Sequence, residues 1–152
     1  ELKKLSETLN YMAGELSGKM REAELRRLEL EAAFRDMSEA IVVTDGRGVI
    51  TRINPRARQL MGVKGFDPEG MRLSGMPAGP ELSSAALKAL SSGSPVAFEI
   101  EPASSPGTVL SVSAAPIVEN GIMGGCVLVA RDITGPRKLE AMRRDFVANV
   151  SH

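Results

Sequence analysis

The sequence predicts an α+β fold in which a five-stranded antiparallel sheet, with helices on one face, is carried between two helices of coiled-coil type. Three observations lead there. The apolar period is helical up to about residue 38, strand-like beyond it, and helical again after Gly135-Pro136. Five short apolar runs are strand candidates, two ahead of a helical middle and three behind it. Asp45-Gly46 and Asn120-Gly121 lie between neighbouring runs, where tight hairpins need residues that accept positive φ.

Residues 1–38 contain no proline and are rich in Glu, Leu, Lys, Arg and Ala, which are good helix formers. Leu2, Leu5, Leu9, Met12 and Leu16 step by three and four, as in the a and d positions of a coiled coil. The stripe continues through Met20, Ala23, Arg27, Leu30, Phe34 and Met37. Its two consecutive steps of four, at Met12–Leu16–Met20, form a stutter that locally unwinds a heptad repeat. Arg27 alone breaks the stripe, and its aliphatic stem can still pack. A helix this long has no core of its own, so the expected way to bury the stripe is a parallel homodimer; packing on the domain as a single amphipathic helix is the alternative.

After Ser38-Glu39, Ala40–Thr44 and Val49–Ile53 read as a strand pair around the turn Asp45-Gly-Arg-Gly48. Asn54-Pro55 opens a short helix, with Asn as N-cap and Pro at the first helical position, and Gly62 closes it. Residues 63–79 are rich in Gly, Pro and Met and predict short helical fragments at most. Pro80–Leu90 reads as a helix with Leu82, Ala86 and Leu90 on one face. Val96, Phe98 and Ile100 then alternate with Ala97 and Glu99, and Leu110, Val112 and Ala114 alternate with serines, giving the third and fourth strands. The fifth is the apolar run ending at Asp132. Thr134 is the expected N-cap of the last helix, whose first turn tolerates Pro136.

Composition removes several classes of function. Nineteen basic and nineteen acidic residues cancel, which gives no reason to expect nucleic acid as a partner. Trp is absent and aromatics are scarce, so the core must be aliphatic and rich in methionine. Cys126 is the one cysteine and reads as a small buried hydrophobe. The longest apolar run, Ile122–Ala130, is too short to span a bilayer. The chain opens on Glu1-Leu2 within a helical pattern, which reads as a segment of a longer protein.

The motifs carry three resemblances. Ala40-Ile-Val-Val-Thr-Asp-Gly-Arg-Gly-Val-Ile-Thr-Arg-Ile-Asn54-Pro-x-Ala57-x-x-Leu60-x-Gly62, together with the exit Asp132-Ile133-Thr134, resembles the PAS domain over about residues 39–134. Leu2, Leu5, Leu9-Asn10, Met12-Ala13 and Leu16 resemble the end of the second helix of a HAMP relay domain over residues 1–20, with 21–38 as a linker helix. Residues 135–152, ending Arg143-Arg-Asp-Phe-Val-Ala-Asn-Val-Ser-His152, resemble the start of the dimerisation and phosphoacceptor helix of sensor histidine kinases. Together they imply the cytoplasmic portion of a bacterial inner-membrane kinase in which His152 takes a phosphoryl group from ATP. They also imply a homodimer and a cognate response regulator. ATP and Mg²⁺ would belong to a separate catalytic domain, so this chain is expected to be inactive by itself. Asp132, Ile133 and Thr134 would relay the signal into the last helix, with Asp132 paired to Arg131, Arg137 or an arginine of the incoming helix. Gly135-Pro136 departs from the charged residues usual there and implies a stiffer helix start.

No histidine lies within residues 39–134 to ligate haem. Cys126 is misplaced for a flavin adduct, so no haem, flavin or metal is expected. Phe66, Met71, Leu73, Met76, Leu82, Phe98 and Met123 are expected to fill the space between sheet and helices, with a small apolar ligand as the alternative to a filled core. Some PAS domains hold carboxylates with basic groups in the pocket, so the resemblance makes Arg58, Arg72 and Lys88 candidates for that role, against a default of solvated surface charge. Two other readings are a ligand-free PAS spacer that only dimerises, and the input domain of a cyclic-dinucleotide enzyme or chemoreceptor. The Phe146…Ser151-His152 segment argues against the second.

Overall fold

A computed structural model describes residues 1–151; His152, the expected phosphoacceptor, lies outside the described residues. The chain divides into two compact units, Glu1–Asp36 and the residues from Met37 onward. The first unit is one helix, α1 (Leu2–Asp36), which runs unbroken across the boundary expected near residue 20. Its seam residues Leu5, Leu9, Met12, Leu16 and Met20 are all more than half exposed.

The second unit is the sheet and its helices. Its strands are β1 (Ala40–Thr44), β2 (Ile50–Ile53), β3 (Val96–Ile100), β4 (Leu110–Glu119) and β5 (Ile122–Asp132). Its helices are α2 (Pro55–Leu60), α3 (Gly79–Ser92) and α4 (Thr134–Val150), with a single 3₁₀ turn at Leu73–Gly75. All pairings are antiparallel, in the order β2-β1-β5-β4-β3. The first strand and the last therefore lie side by side at the centre, with Ala40 opposite Ala130 and Thr44 opposite Cys126. The chain enters and leaves the sheet at the same end.

The turns follow from their residues. Asn120 and Gly121 both have positive φ (51° and 78°), as a two-residue hairpin loop of this hand demands. At the other hairpin the Asp45 carboxylate accepts from the N–H groups of Arg47 (2.8 Å) and Val49 (3.0 Å). Pro116 lies past Val96–Ala114, the last β3–β4 pair, so β4 is an edge there and the missing N–H is tolerated.

The core lies between the sheet and the two helices α2 and α3. Strand residues Val42, Ile50, Leu110, Val112, Cys126 and Leu128 meet Ala57 and Met61 after α2, and Leu82, Ala85, Ala86 and Ala89 on α3. Each buried Ile or Leu contributes roughly 1.5–3 kcal/mol. The face that α3 presents is made mostly of alanine, so the helix sits close to the sheet and leaves little space beneath it. At its start the approach is tightest, since a Cβ on Gly79 would fall 2.0 Å from the Leu73 carbonyl oxygen. Cys126 is fully buried, as expected of a small hydrophobe, and burial pushes its thiol pKa up.

Candidate functional site

Two places in the second unit gather polar groups: the end where the chain enters and leaves the sheet, and the turn end of the β1–β2 hairpin.

At the entry, Asn54 organises the backbone. Its Oδ1 accepts from Ala57 N–H (2.9 Å), the N-cap bond expected from Asn-Pro, and also from Ile41 N–H (2.9 Å). Its Nδ2 donates to the Glu39 carbonyl (2.9 Å), and its own N–H donates to the Ile41 carbonyl (3.1 Å). The residue is fully buried, so these bonds form away from competing water. Glu39, held by its carbonyl, also pairs through its carboxylate with Arg131 (2.5 Å), on the neighbouring strand one residue before Asp132. Entry and exit are thus joined directly.

At the exit, Asp132, Ile133 and Thr134 act together. The Asp132 carboxylate accepts from the Thr134 backbone N–H (2.9 Å) and hydroxyl (2.5 Å). These bonds, led by the hydroxyl, hold the Asp132 pKa below the usual carboxylate range. The same Thr134 Oγ1 accepts from Val109 N–H (3.0 Å), while Ile133 N–H donates to the Val109 carbonyl (2.9 Å). Arg137, one turn into α4, pairs with Glu99 on β3 and with Glu140 at 2.9 Å. The first turn of α4 is therefore tied to β3, through Glu99, and to Val109 just ahead of β4.

Two expectations are corrected here. Asp132 does not pair with Arg131 or Arg137; those arginines are drawn to Glu39 and Glu99, and the carboxylate is occupied by Thr134. Thr134 is not the N-cap either. It is the first helical residue, Ile133 stands at the cap without a side-chain bond, and the hydroxyl reaches back to Val109 instead. Pro136 falls in the first turn, as expected. Sequence pattern gives no role to Glu39, Glu99 or Val109. Glu39 is an isolated charge just before β1 and Glu99 an outward-facing residue within β3, and only the folded sheet shows which arginine each one meets.

The seven residues expected between sheet and helices are not gathered into one lining. Leu73, Met76 and Leu82 are buried in the core, and Phe98 packs at its edge beneath Lys88, whose Nζ is 5.2 Å from the ring centroid. Phe66, Met71 and Met123 are exposed, at 47%, 44% and 43%. The alanine face of α3 fills the interior without them. Of the candidate cations, Arg58 pairs with Asp67 (3.0 Å). Arg72 instead borders a cavity of about 220 Å³ at the turn end of the hairpin, with Thr44, Arg47 and residues of α3.

Among the described residues no cluster of three or more His, Cys, Asp or Glu side chains is placed to hold a metal. No helix among them is long and apolar enough to cross a membrane. The stripe of α4, Leu139, Met142, Phe146 and Val150, is 62–69% exposed.

Comparison with known proteins bears on this arrangement. The profile of the family described as the PAS fold matches residues 34–138. The sensor protein kinase WalK of Staphylococcus haemolyticus is 27% identical over 154 aligned positions, which cover all of this chain and 25% of that protein. The chain thus spans about a quarter of the length of that curated relative. Among solved structures, the PAS domain of a protein from Colwellia psychrerythraea aligns with a TM-score of 0.57 at 26% identity, over 70% of this chain and 97% of that one. The PAS domain of histidine kinase ThkA aligns with a TM-score of 0.54 at 24% identity, over 62% and 99%. That last likeness bears on the fold alone.

Proposed function

The chain belongs to the PAS fold family, and from that premise we propose that it is the signal-relay segment of a membrane-bound sensor histidine kinase. In this reading residues 1–20 close a HAMP domain and 21–38 link it to the sheet. The exit Asp132-Ile133-Thr134 passes the signal to a helix whose His152 is the phosphoacceptor. A neutral imidazole nitrogen is nucleophilic near neutral pH, which suits that role. ATP and Mg²⁺, held by a separate domain of the parent, supply the phosphoryl group and its charge neutralisation. The product would be passed to a cognate response regulator. The open stripes of α1 and α4 support a parallel homodimer, because each needs a partner helix to leave water.

The observation that carries the reading is the clamp at the exit. The Thr134 hydroxyl donates to Asp132 and accepts from Val109, and its N–H adds a second bond to Asp132, so in this reading a shift of β5 against β4 turns the start of α4. Glu39–Arg131 gives the entry a direct grip on the same strand. A relay needs such a connection between incoming and outgoing segments; a passive spacer does not.

The test is autophosphorylation of the full kinase that carries this segment, followed by transfer of label from ATP. Asp132→Ala and Thr134→Val are expected to shift its rate by about fivefold or more, the usual size of a coupling between sites. His152→Gln is expected to abolish labelling while the far-UV spectrum and melting curve stay unchanged. Unaltered rates in both junction variants would remove the relay, and retained labelling in His152→Gln would remove the phosphoacceptor.

A further inference from the structure

The cavity at the turn end of the β1–β2 hairpin belongs to neither the exit clamp nor the filled space beneath α3. Its walls are the turn at residues 46–48, the 3₁₀ segment around Leu73 and one side of α3. Backbone bonds fix two of those walls to each other: Leu73 N–H donates to the Gly48 carbonyl (3.0 Å), and Ile50 N–H donates to the Met71 carbonyl (2.9 Å). The third wall is set by the close approach of Gly79 to Leu73. A volume near 220 Å³ is the space of about seven liquid waters, enough for a small organic molecule.

The lining is divided by chemistry. Arg47 and Arg72 stand on the turn and on the 3₁₀ side, and neither has an ion-pair partner among the described residues. The nearby acid, Asp45, accepts from the N–H groups of Val49 and Arg47 and attracts the Arg47 and Arg72 guanidinium groups only across a gap longer than an ion pair. Ser74 and Ser83 add hydroxyls, while Leu73, Ala86 and Leu90 form an apolar wall. Thr44 also borders the cavity, and it is the one side chain among the described residues whose buried polar atom, Oγ1, has no hydrogen-bond partner. A buried hydroxyl left without a partner is costly, and a bound acceptor would relieve that cost.

We propose that this cavity is a binding site for a small organic carboxylate with a short aliphatic body. The guanidinium groups of Arg47 and Arg72 take the carboxylate, the hydroxyls complete its hydrogen bonding, and the hydrocarbon lies on Leu73 and Leu90. Two arginines alone would suit phosphate equally well; the apolar wall selects an organic acid. The site sits beside β5, because Gly125 there lies so near Thr44 that a Cβ would fall 1.9 Å from the Thr44 carbonyl oxygen. Binding is a property of this chain and does not depend on the relay proposed above.

The experiment is an amide-resolved NMR titration of the 152-residue chain at low salt, with sodium hexanoate, 1-hexanol and inorganic phosphate as separate probes. Hexanoate is expected to move the signals of Thr44, Arg47, Arg72, Ser74 and Ser83 to saturation. Hexanol and phosphate are expected to bind at least about tenfold more weakly, since a hydrogen bond to a charged group is worth about that factor or more. Arg72→Gln and Arg47→Gln, both at the surface, should each weaken hexanoate by about tenfold. Thr44→Val, which keeps the shape, should weaken it by about threefold or more. Hexanol binding as tightly as hexanoate, phosphate binding as tightly, shifts that map elsewhere, or arginine variants without effect would each overturn the proposal.

Discussion

Among the described residues Thr44 and Asn54 are the buried polar side chains, and they mark opposite ends of the same hairpin. Asn54, at the open end, satisfies three backbone groups with its amide: Ala57 N–H, Ile41 N–H and the Glu39 carbonyl. Thr44, at the turn end, leaves its hydroxyl unbonded. The surroundings follow the same division. At the Asn54 end of the sheet Glu39 pairs with Arg131 beside β1, Arg137 pairs with Glu99 on the far strand β3, and Thr134 closes the exit. Around Thr44 two arginines border an open cavity without ion-pair partners among the described residues. One end is built as a closed clamp, in which side chains meet backbone groups and opposite charges of other strands. The other leaves the Thr44 hydroxyl without a partner and its two arginines outside ion-pair distance of Asp45, the nearby acid. Stability is expected to concentrate at the first and ligand response at the second.

The strongest way to break this contrast is at Asn54. Asn54→Ala removes the α2 cap, worth about 1 kcal/mol, and strands the Ile41 N–H and Glu39 carbonyl in the interior, at about 1–3 kcal/mol more. A loss of about 3 kcal/mol is expected, which for a domain of this size lowers Tm by roughly 10 °C or more. Calorimetry or urea unfolding reads it. Asp at this position should recover only part of the loss, because its carboxylate still accepts from Ala57 and Ile41 but is buried against the Glu39 carbonyl oxygen, to which it cannot donate. A Tm within a degree or two of the parent for Asn54→Ala would mean that the entry is not held where the bonds indicate.

How much of this was legible in the sequence depends on the reach of each interaction. Asn54 as a cap is visible because its partner is three residues away; its bonds to Ile41 and Glu39 span 13 and 15 residues and exist only once β1 and β2 pair. The five strands and the Asn120-Gly121 hairpin are visible because period and turn chemistry are local. Asp132-Ile133-Thr134 stands out by resemblance, yet its partner Val109 is 25 residues away from Thr134 and contributes only backbone, which leaves no mark on sequence. Phe66, Met71 and Met123 misled because hydrophobicity says that a side chain prefers burial, not that its loop reaches the core. Arg72 is a candidate ligand cation by residue type, but its position at the cavity depends on the isolated bridge between Val49 and Arg72, again invisible locally.

A smaller effect, opposite in sign, tests the other end. Thr44→Val removes a hydroxyl that has no partner and keeps the branched shape that fits β1, so the free protein should gain about 1 kcal/mol. The same substitution weakens the carboxylate. Stability and binding thus move in opposite directions at Thr44, whereas Asn54→Ala lowers stability with no direct contact to the cavity. Urea unfolding with and without hexanoate separates the two. A destabilised Thr44→Val would show that the hydroxyl is satisfied after all and that the two ends of the hairpin are alike.

The smallest effect lies in the acid response of the clamp. The Thr134 hydroxyl, and then its N–H, stabilise the charged form of Asp132, so the folded-state pKa is below the unfolded one. The sign follows from linkage: the contribution is fully present above the unfolded carboxylate value of about 4 and is lost as pH falls through the depressed folded value. Asp45 and Asp67 are depressed as well, chiefly by backbone N–H groups, so the whole unit loses stability in that window. Asp132→Asn isolates one member, since the amide oxygen still accepts from Thr134 but carries no charge to titrate. The stability difference between parent and variant should be constant from pH 7 to about pH 5 and shrink below about pH 4. In Thr134→Val the main cause is gone, and carbon-detected titration should find the Asp132 pKa moved up toward the ordinary range. A pKa unmoved by that substitution would assign the depression to other charges, and Thr134 would then bind the exit only through Val109.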